Sequence, residues 1–320
     1  MSPLPDRMRI AVMGSGAVGG YFGARLAAAG ADVTFVARGE HLRAMQHHGL
    51  RITSAQGPLE VRSTFVAAPD QAAPVDLVLF SVKSQDTESA ARALGPLMGS
   101  HTLVLSLQNG VDNADKIARL WGHERSLAGV AYVVARVAAP GLIEHEGGGQ
   151  IVLGSLHAAS EVNARATQAI LTHAKISSDV RADIRAVLWR KLAWNAPFCA
   201  LSCLLHMTVG EILASASLES LVRSCAEEVL DAARCHGLEL PASTVDEVLS
   251  SSGPLGHVRT SMLNDLEAGK PLEHEALNGI VVRTLQQSGR RGPINEILYA
   301  ALRRIDQDVR AKQAGVATPT

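Results

Sequence analysis

The feature that most constrains the fold is a glycine motif, Gly14-Ser15-Gly16-Ala17-Val18-Gly19. Alone, the pattern G-x-G-x-x-G is weak in a chain with 28 glycines, but here it leaves a predicted strand at 9–14 and opens a predicted helix at 17–30. The first glycine permits a tight turn, the second lets the backbone approach a pyrophosphate, and the third lets the helix pack on the sheet. The six residues are therefore predicted to bind a dinucleotide at the positive end of the helix.

The first half of the chain alternates short apolar segments with helical ones, which indicates a parallel sheet covered on both faces. Predicted strands lie at 9–14, 32–38, 75–83, 102–110, 127–137 and 149–155, with a small hairpin formed by 50–54 and 59–67. After about residue 175 helical periodicity dominates, at 183–205, 210–215, 217–236, 242–251, 257–268, 272–289 and 293–311. The sequence therefore predicts an α/β domain at 1–175 and an all-α domain at 176–320, with a frayed tail from about 312.

Composition excludes several classes of function. Hydrophobic residues make up 47% of the chain, enough for a large core, and a net charge of -1 gives no reason to expect a nucleic-acid or acidic-membrane partner. The four cysteines are too few and too clustered for a secreted disulfide framework, no C-x2-C metal pair occurs, and residues 1–10 lack the apolar core of a signal peptide. We expect a cytoplasmic protein that has no metal site and acts on a small molecule.

Arg38, at the end of the second predicted strand, bears on the choice of cofactor. Enzymes specific for NAD usually place a carboxylate there to accept the ribose 2′-hydroxyl, whereas a guanidinium pairs with the 2′-phosphate of NADP. Arg38 therefore predicts NADPH as the cofactor, although Glu40 lies close by and leaves NADH open. The alternative for Arg38 is a solvated surface arginine.

Two more polar residues, Lys83 and Asn109, follow apolar strands. Ligands of such sheets bind at the carboxyl ends of the strands, so both side chains should face the crevice of the glycine loop. The alternatives are a strand-end lysine that reaches solvent and an ordinary Asn-Gly turn.

The segment "WRKLAWNAPFCA" at 189–200 places Lys191 and Asn195 one helical turn apart in an apolar helix. A positioned ammonium can stabilise the negative charge that develops on a carbonyl oxygen during hydride transfer, and can supply its proton. Burial lowers the pKa of a lysine, which makes its ammonium a better proton donor near neutral pH. The alternative is a lysine whose stem packs while its ammonium reaches water.

Five segments that are typical of one enzyme family occur in the same order along this chain: the glycine motif, "SVKS", "LQNG", "LWRKLAWN" and "TSMLNDLEAGKPLEHEALNG". Over about residues 8–310 the chain resembles the 2-dehydropantoate 2-reductase, or ketopantoate reductase, family. The resemblance implies an α/β Rossmann-type N-terminal domain plus an all-α C-terminal domain that is 6-phosphogluconate dehydrogenase C-terminal-like. It also implies reduction of ketopantoate to pantoate with NADPH, in pantothenate and coenzyme A biosynthesis.

The resemblance further implies roles for single residues. Lys191 would be the proton donor to the ketone, and Asn195 the first of two substrate-binding asparagines in its helix. Ser261 would hold the substrate carboxylate, and Glu273 would lie near the nicotinamide and orient it, the lysine or both.

On the cofactor side, the resemblance places Asn109 between cofactor and substrate, Lys83 near the cofactor, and Ala135 as a small residue against it. In the segment around Glu273, Asp265 and Glu267 are instead predicted to lie on a solvated helix face, and His274 receives no role.

The chain departs from the family pattern K-x-x-x-N-x-x-x-N-P in the lysine helix. Cys199 replaces the second asparagine, Ala200 replaces the proline, and Pro197 occurs earlier, where it is expected to kink the helix. A thiol is a weak hydrogen-bond partner, so contacts with substrate should differ here. Cys199 and Cys203 are predicted to be small buried apolar residues rather than a redox pair.

Two rival functions remain open. One is a paralogous NADPH-dependent reductase of another 2-oxo acid, which Cys199 favours. The other is a non-catalytic NADPH-binding sensor, which has no need of the proton donor Lys191. A homodimer and a monomer fit the sequence equally well.

Overall fold

The computed structural model describes residues 8–314, except the side chains of Ala159 and Pro254. The chain divides into two compact units after Ile184, somewhat later than the predicted boundary at 175. The tail that is predicted to fray lies, from residue 315 onward, outside the described residues.

The first unit is built on one ten-stranded sheet with five α-helices. Its strands are β1 (Arg9–Met13), β2 (Asp32–Val36), β3 (Leu50–Ser54), β4 (Leu59–Val61), β5 (Thr64–Val66), β6 (Val75–Phe80), β7 (Met98–Ser106), β8 (Ser126–Ala139), β9 (Leu142–Ser155) and β10 (Ser177–Val180). Its helices are α1 (Ala17–Ala28), α2 (Gly39–His48), α3 (Thr87–Arg92), α4 (Asn113–Trp121) and α5 (Glu161–His173).

The strand order is β4-β3-β9-β8-β7-β6-β1-β2-β5, with β10 beside β9. From β5 to β8 every neighbouring pair is parallel, which is the doubly wound arrangement that the sequence predicts. Beyond β8 the sheet is mixed, because β9 pairs antiparallel with β8 and parallel with β3.

The predicted hairpin is present only in part. β3 and β4 pair antiparallel as predicted, but the segment predicted as one strand at 59–67 breaks in two. Its second half, β5, pairs with β2 at the far edge of the sheet. Because of this break, residues 59–66 supply the strands at both ends of the strand order, β4 at one end and β5 at the other.

Both faces of the parallel region are buried, which explains why its strands are mostly apolar. Successive side chains of a strand point to opposite faces. Accordingly Ile10 and Val12 of β1 pack in one hydrophobic cluster with Phe22 of α1, whereas Ala11 and Met13 pack in a second cluster beneath α3. Alternating polar residues would leave one of these clusters incomplete.

The second unit is helical throughout its described part. It contains α6 (Ile184–Leu205, whose first residue ends the first unit), α7 (Val209–Leu213), α8 (Ala216–Cys235), α9 (Thr244–Ser252), α10 (Ser261–Glu267), a π-helical turn (Glu275–Gly279), α11 (Ile280–Gln287) and α12 (Pro293–Gln313). Of the described helices, none has the length and apolar composition needed to cross a membrane.

Side chains fix where α7 and α10 begin. Thr208 and Glu211 form a capping box at α7, in which the Thr208 hydroxyl accepts the Glu211 N–H at 3.3 Å and Glu211 Oε2 accepts the Thr208 N–H at 2.7 Å. At α10 the Thr260 hydroxyl accepts the Leu263 N–H at 3.3 Å, which makes Ser261 the first residue of the helix.

Candidate active site

The glycine motif forms the turn between β1 and α1, as the sequence predicts. Gly14 has φ +97°, and a Cβ there would lie 2.7 Å from the Val82 nitrogen; a Cβ at Gly19 would overlap the Ser81 hydroxyl. Only glycine therefore fits at both positions. Gly16, in contrast, has no atom of another segment near its Cβ position, so the backbone is open to a ligand there.

The N-terminus of α1 fits a phosphate group. Gly16 is its N-cap, so no side chain satisfies the first N–H groups, and its first turn (Ala17, Val18 and Gly19) carries no acidic residue. The unsatisfied N–H groups and the helix dipole favour an anion at this place. We conclude that the residues present suit the pyrophosphate of a dinucleotide.

Two buried or half-buried side chains hold the glycine loop. The Ser15 hydroxyl is turned inward and donates to the Val36 carbonyl at 3.0 Å. His41, in α2, accepts the Gly141 N–H at Nδ1 (3.1 Å), so its proton resides on Nε2, which donates to the Ser15 carbonyl at 2.9 Å. His41 thus joins the loop to the turn between β8 and β9. No local sequence pattern predicts this role for His41.

Arg38 lies two residues beyond the end of β2, and its side chain is 81% exposed. Its guanidinium pairs with Asp86 at 3.2 Å, while Glu40 pairs with Arg43. Glu40 is thus paired with Arg43, and the carboxylate that pairs with the Arg38 guanidinium is that of Asp86. An exposed ion pair of this kind is weak, and a bound phosphate can replace it.

Lys83 and Asn109 follow strands that end at the same edge of the sheet as the glycine loop. Met13 of β1 pairs with Phe80 of β6, which pairs with Ser106 of β7. Both side chains are half-buried. The three loops after β1, β6 and β7 therefore lie side by side, where a dinucleotide binds in such sheets.

A buried polar network, which is not predicted from the sequence, fixes the loops that carry Lys83 and Asn109. Gln108 donates to the Val82 carbonyl at 3.0 Å and to the Thr87 hydroxyl at 2.7 Å. Asn113 donates to the Asn109 carbonyl at 2.7 Å. The signal that was available is the glutamine in "LQNG", a polar residue at the end of an otherwise apolar strand.

Ala135 lies within β8, opposite His145 of β9, beside an irregularity in the register. It is half-buried and packs against the hydrophobic cluster beneath α1. Its position is on a strand rather than in a loop after a strand, unlike the other predicted cofactor residues.

The second group of predicted residues lies in the helical unit. Lys191 is half-buried on α6, and burial lowers the pKa of its ammonium, while the electrostatic interaction with Cys199 raises it. Its Nζ lies 5.1 Å from the ring centroid of Trp194. Asn195, one turn beyond Lys191, is buried. α6 therefore carries a desolvated ammonium and a buried amide.

The departures from the family pattern also lie in α6. The helix continues from Ile184 to Leu205 as one element with Pro197 inside it, so the predicted kink does not interrupt it. Cys199 and Cys203 are buried with free thiols, and burial raises the pKa of the Cys203 thiol strongly. The Cys203 thiol is thus protonated, and both cysteines are buried packing residues.

Glu273 is only 6% exposed and lies just before the π-helical turn. The Leu272 N–H donates to Asp306 at 2.7 Å, which fixes the backbone at Glu273. Asn278 of the same turn donates to the Ala196 carbonyl at 3.2 Å, so the turn after Glu273 packs against α6 next to Asn195. π-helical turns are frequent at functional sites.

Ser261 is exposed at the start of α10. On the same helix the prediction that Asp265 and Glu267 share a solvated face is wrong for Asp265, which is buried, because this short helix turns it toward the core with Met262. Glu267 is exposed and pairs with Arg259. His274, which received no role, is buried beside Tyr299 at 5.7 Å between ring centroids.

Across residues 8–314, no group of three or more histidine, cysteine, aspartate or glutamate side chains is placed to hold a metal ion. The fold and the site define a class of protein: an enzyme with a dinucleotide-binding domain, followed by a helical domain that carries a desolvated lysine.

Comparison with known proteins gives the family. Residues 10–158 match the family described as Ketopantoate reductase PanE/ApbA. Residues 183–306 match the family described as Ketopantoate reductase PanE/ApbA C terminal. The chain therefore belongs to the ketopantoate reductase family and is an oxidoreductase that acts on a CH–OH donor.

Individual relatives agree with this assignment. The chain is 31% identical to a 2-dehydropantoate 2-reductase of Mesorhizobium japonicum, over 93% of this chain and 98% of that protein. It is 34% identical to a PanE/ApbA family ketopantoate reductase of Ralstonia eutropha JMP134, with a TM-score of 0.87 over 95% of this chain and all (100%) of the other. A D-mandelate dehydrogenase solved with NADH and anilino(oxo)acetate has a TM-score of 0.90 over 95% of this chain and 100% of its own, but its 23% identity bears on the fold alone.

Proposed function

We propose that the protein reduces 2-dehydropantoate to pantoate with NADPH, as a step of pantothenate and coenzyme A biosynthesis in the cytoplasm. The observation that carries the proposal is the desolvated Lys191 with buried Asn195 one turn beyond it. The relatives named 2-dehydropantoate 2-reductase support the choice of substrate.

The glycine loop and the N-terminus of α1 would hold the pyrophosphate, with Lys83 and Asn109 beside it and Ala135 against the cofactor. Arg38 would pair with the 2′-phosphate, which favours NADPH over NADH. When bound, the reduced nicotinamide supplies a hydride to the C2 carbonyl of the substrate.

The chain's own residues would supply the rest of the chemistry. Lys191 gives its proton to the carbonyl oxygen as negative charge develops there, and its positive charge stabilises that oxygen beforehand. Asn109, Asn195 and Ser261 position the substrate through hydrogen bonds. Glu273, buried and held by its backbone, orients the lysine, the nicotinamide or both.

Cys199 supports a second candidate, reduction of a different 2-oxo acid with the same machinery. Its thiol is only 2% exposed, and a thiol is a weaker hydrogen-bond partner than the amide of an asparagine. A substrate whose side chain is apolar beyond C3 would lose nothing by facing this thiol.

The test is the loss of NADPH absorbance with the purified protein, with 2-dehydropantoate beside a panel of other 2-oxo acids, and again with NADH. Lys191→Ala should lower kcat by about 10²–10⁴-fold, the usual contribution of a general acid. Lys270→Ala, which removes an exposed lysine of the same unit, is the matched control and should leave kcat unchanged.

Turnover of 2-dehydropantoate that survives Lys191→Ala would contradict the proposed mechanism. Turnover of another 2-oxo acid in preference would identify the second candidate. NADPH binding without turnover of any substrate would favour the sensor.

A further inference from the structure

Trp194 lies next to Lys191 on α6, and none of the roles above uses it. Residues three apart on a helix are neighbours on one face. Here the Lys191 Nζ lies 5.1 Å from the centroid of the Trp194 ring, within the range of a cation–π interaction. The ring is therefore a direct neighbour of the proposed proton donor.

The indole is anchored on two other sides. Its Nε1–H donates to the Ser252 hydroxyl at 2.9 Å, and that hydroxyl donates to the Val248 carbonyl at 2.6 Å. A carbonyl can only accept, so the Ser252 proton is committed to it and the Ser252 oxygen must accept from the indole. Phe198 packs against the ring at 5.0 Å between centroids. α9 and α6 together thus fix the plane of the indole.

A proton donor has to be protonated before it can act, and burial works against that state at Lys191. The face of an indole carries partial negative charge and stabilises an ammonium without any need for water. A fixed indole can therefore desolvate the lysine and still favour its charged form, which a carboxylate could do only by forming a tight ion pair.

We propose that Trp194, oriented by Ser252, is a positioning residue for Lys191, which holds the ammonium in place and keeps it charged in its desolvated position. The proposal deepens the proposed function and rests on it for its catalytic meaning. The contact between the two side chains can be tested separately from catalysis.

Other titratable groups have to be separated from this effect. Cys199, two turns beyond Lys191, interacts electrostatically with the lysine. Asp265 and Glu267 of α10 act on the Cys203 thiol, one turn further along α6. A useful perturbation should therefore change the indole alone and leave all of these groups in place.

Fluorinated tryptophan meets this requirement, because fluorine withdraws charge from the face of the ring and changes its shape very little. The chain has only six lysines, so the ¹³Cε signal of Lys191 can be assigned by its loss in Lys191→Arg and titrated in the full-length protein. We expect fluorotryptophan to lower the Lys191 pKa by about half to one pH unit, the size of a partly desolvated cation–π interaction.

The control is the same labelling in Trp194→Phe, which leaves the other two tryptophans, Trp121 and Trp189, to be fluorinated. Trp189 lies on the same helix but stacks on His236. In that variant fluorination should leave the Lys191 titration unchanged. An unchanged titration in the native sequence, or an equal shift in Trp194→Phe, would overturn the proposal.

A second experiment tests the anchor. Ser252→Ala should lower kcat several-fold and leave the Kd for NADPH unchanged, because the lost hydrogen bond lies in the helical unit and the glycine loop lies in the other unit. Ser251→Ala is the matched control, since the Ser251 hydroxyl also donates to the Val248 carbonyl but holds no indole. Equal kcat values for the two variants would refute the role of Ser252. The NMR titration stands whether or not any 2-oxo acid is reduced, so failure of the proposed function and failure of this proposal give different results.

Discussion

Asn278 offers a sharp test of how the lysine helix is held. Its side chain is 0% exposed, and its Nδ2 group donates to the Ala196 carbonyl at 3.2 Å and to Asn295 Oδ1 at 3.0 Å. Asn295 cannot present its own amide nitrogen instead, because that group donates to the Cys225 carbonyl and to Glu228. The orientation of the Asn278 amide is therefore fixed, with two acceptors facing its nitrogen.

Asn278→Asp keeps the shape and places an oxygen where the nitrogen was. An ionised carboxylate there would face two acceptors without any counter-charge, which costs about 3–5 kcal/mol of folding stability. A protonated carboxyl can donate one of the two hydrogen bonds, so its cost is only about 1–1.5 kcal/mol. The difference, about 3 kcal/mol, corresponds to a pKa in the folded protein about 2 units above the ordinary value of about 3.9.

The sign of the pH dependence follows from this raised pKa. Between about pH 4 and pH 6 the folded variant binds more protons than the unfolded chain, so its stability falls as pH rises and is then constant. For a unit of this size we expect a melting temperature about 10 °C below the wild type at about pH 8, and about 4 °C below it at about pH 4.

Thermal unfolding followed by circular dichroism, with the two proteins compared at each pH, measures this effect. Asn264→Asp is the matched control, because Asn264 is a half-buried asparagine on α10 and its change adds the same charge. We expect that control to show a small deficit at every pH. A deficit for Asn278→Asp that is the same at acid and alkaline pH would refute the assignment of the two acceptors.

Three further predictions concern the first unit. His41→Ala should raise the Kd for NADPH about tenfold in a fluorescence titration, because it leaves the Gly141 N–H and the Ser15 carbonyl without their partner; an unchanged Kd would show that the loop holds itself. Asp86→Asn should tighten NADPH binding by up to about fivefold and leave NADH unchanged, since it releases Arg38 from an exposed ion pair; equal effects on both cofactors would exclude a role in 2′-phosphate recognition. His145 is buried, and burial lowers the pKa of its imidazole. Because the unfolded chain then binds the proton more readily, the folding stability of the wild type should fall as pH drops below about 6.5. In His145→Gln the loss of melting temperature between neutral and acid pH should be smaller than in the wild type.

The strands and long helices could be predicted because each carries its own local signal. β1, β6 and the second half of β7 are mostly apolar, since both of their faces are buried, and α6, α8 and α12 are long and end at glycine or polar segments. The glycine motif was recognisable for the same reason: its turn, its helix and its strand are contiguous in sequence.

Elements with weak local patterns were missed. α2 buries only Leu42 and Met45, so its apolar periodicity is faint, and α5 buries only Ala164, Thr167 and Leu171. The helix predicted at 272–289 is real in extent but begins as a π-helical turn, which no hydrophobic period distinguishes from an α-helix. For α2, α5 and the π-helical turn, contacts with distant segments determine the local structure.

The candidate site shows the same limit at the level of single side chains. Lys191 is conspicuous in sequence because it is a cation in an apolar helix, yet what surrounds it comes from distant segments. Ser252 reaches the indole of Trp194 from 58 residues away, and Asn278 reaches the Ala196 carbonyl from 82 residues away. A local pattern can reveal that an ammonium is out of place, but only tertiary contacts decide whether it is held, desolvated and charged. The properties that would make Lys191 a proton donor are therefore distributed over α6, α9 and the π-helical turn, and substitutions far from it in sequence should change its chemistry while leaving the lysine itself untouched.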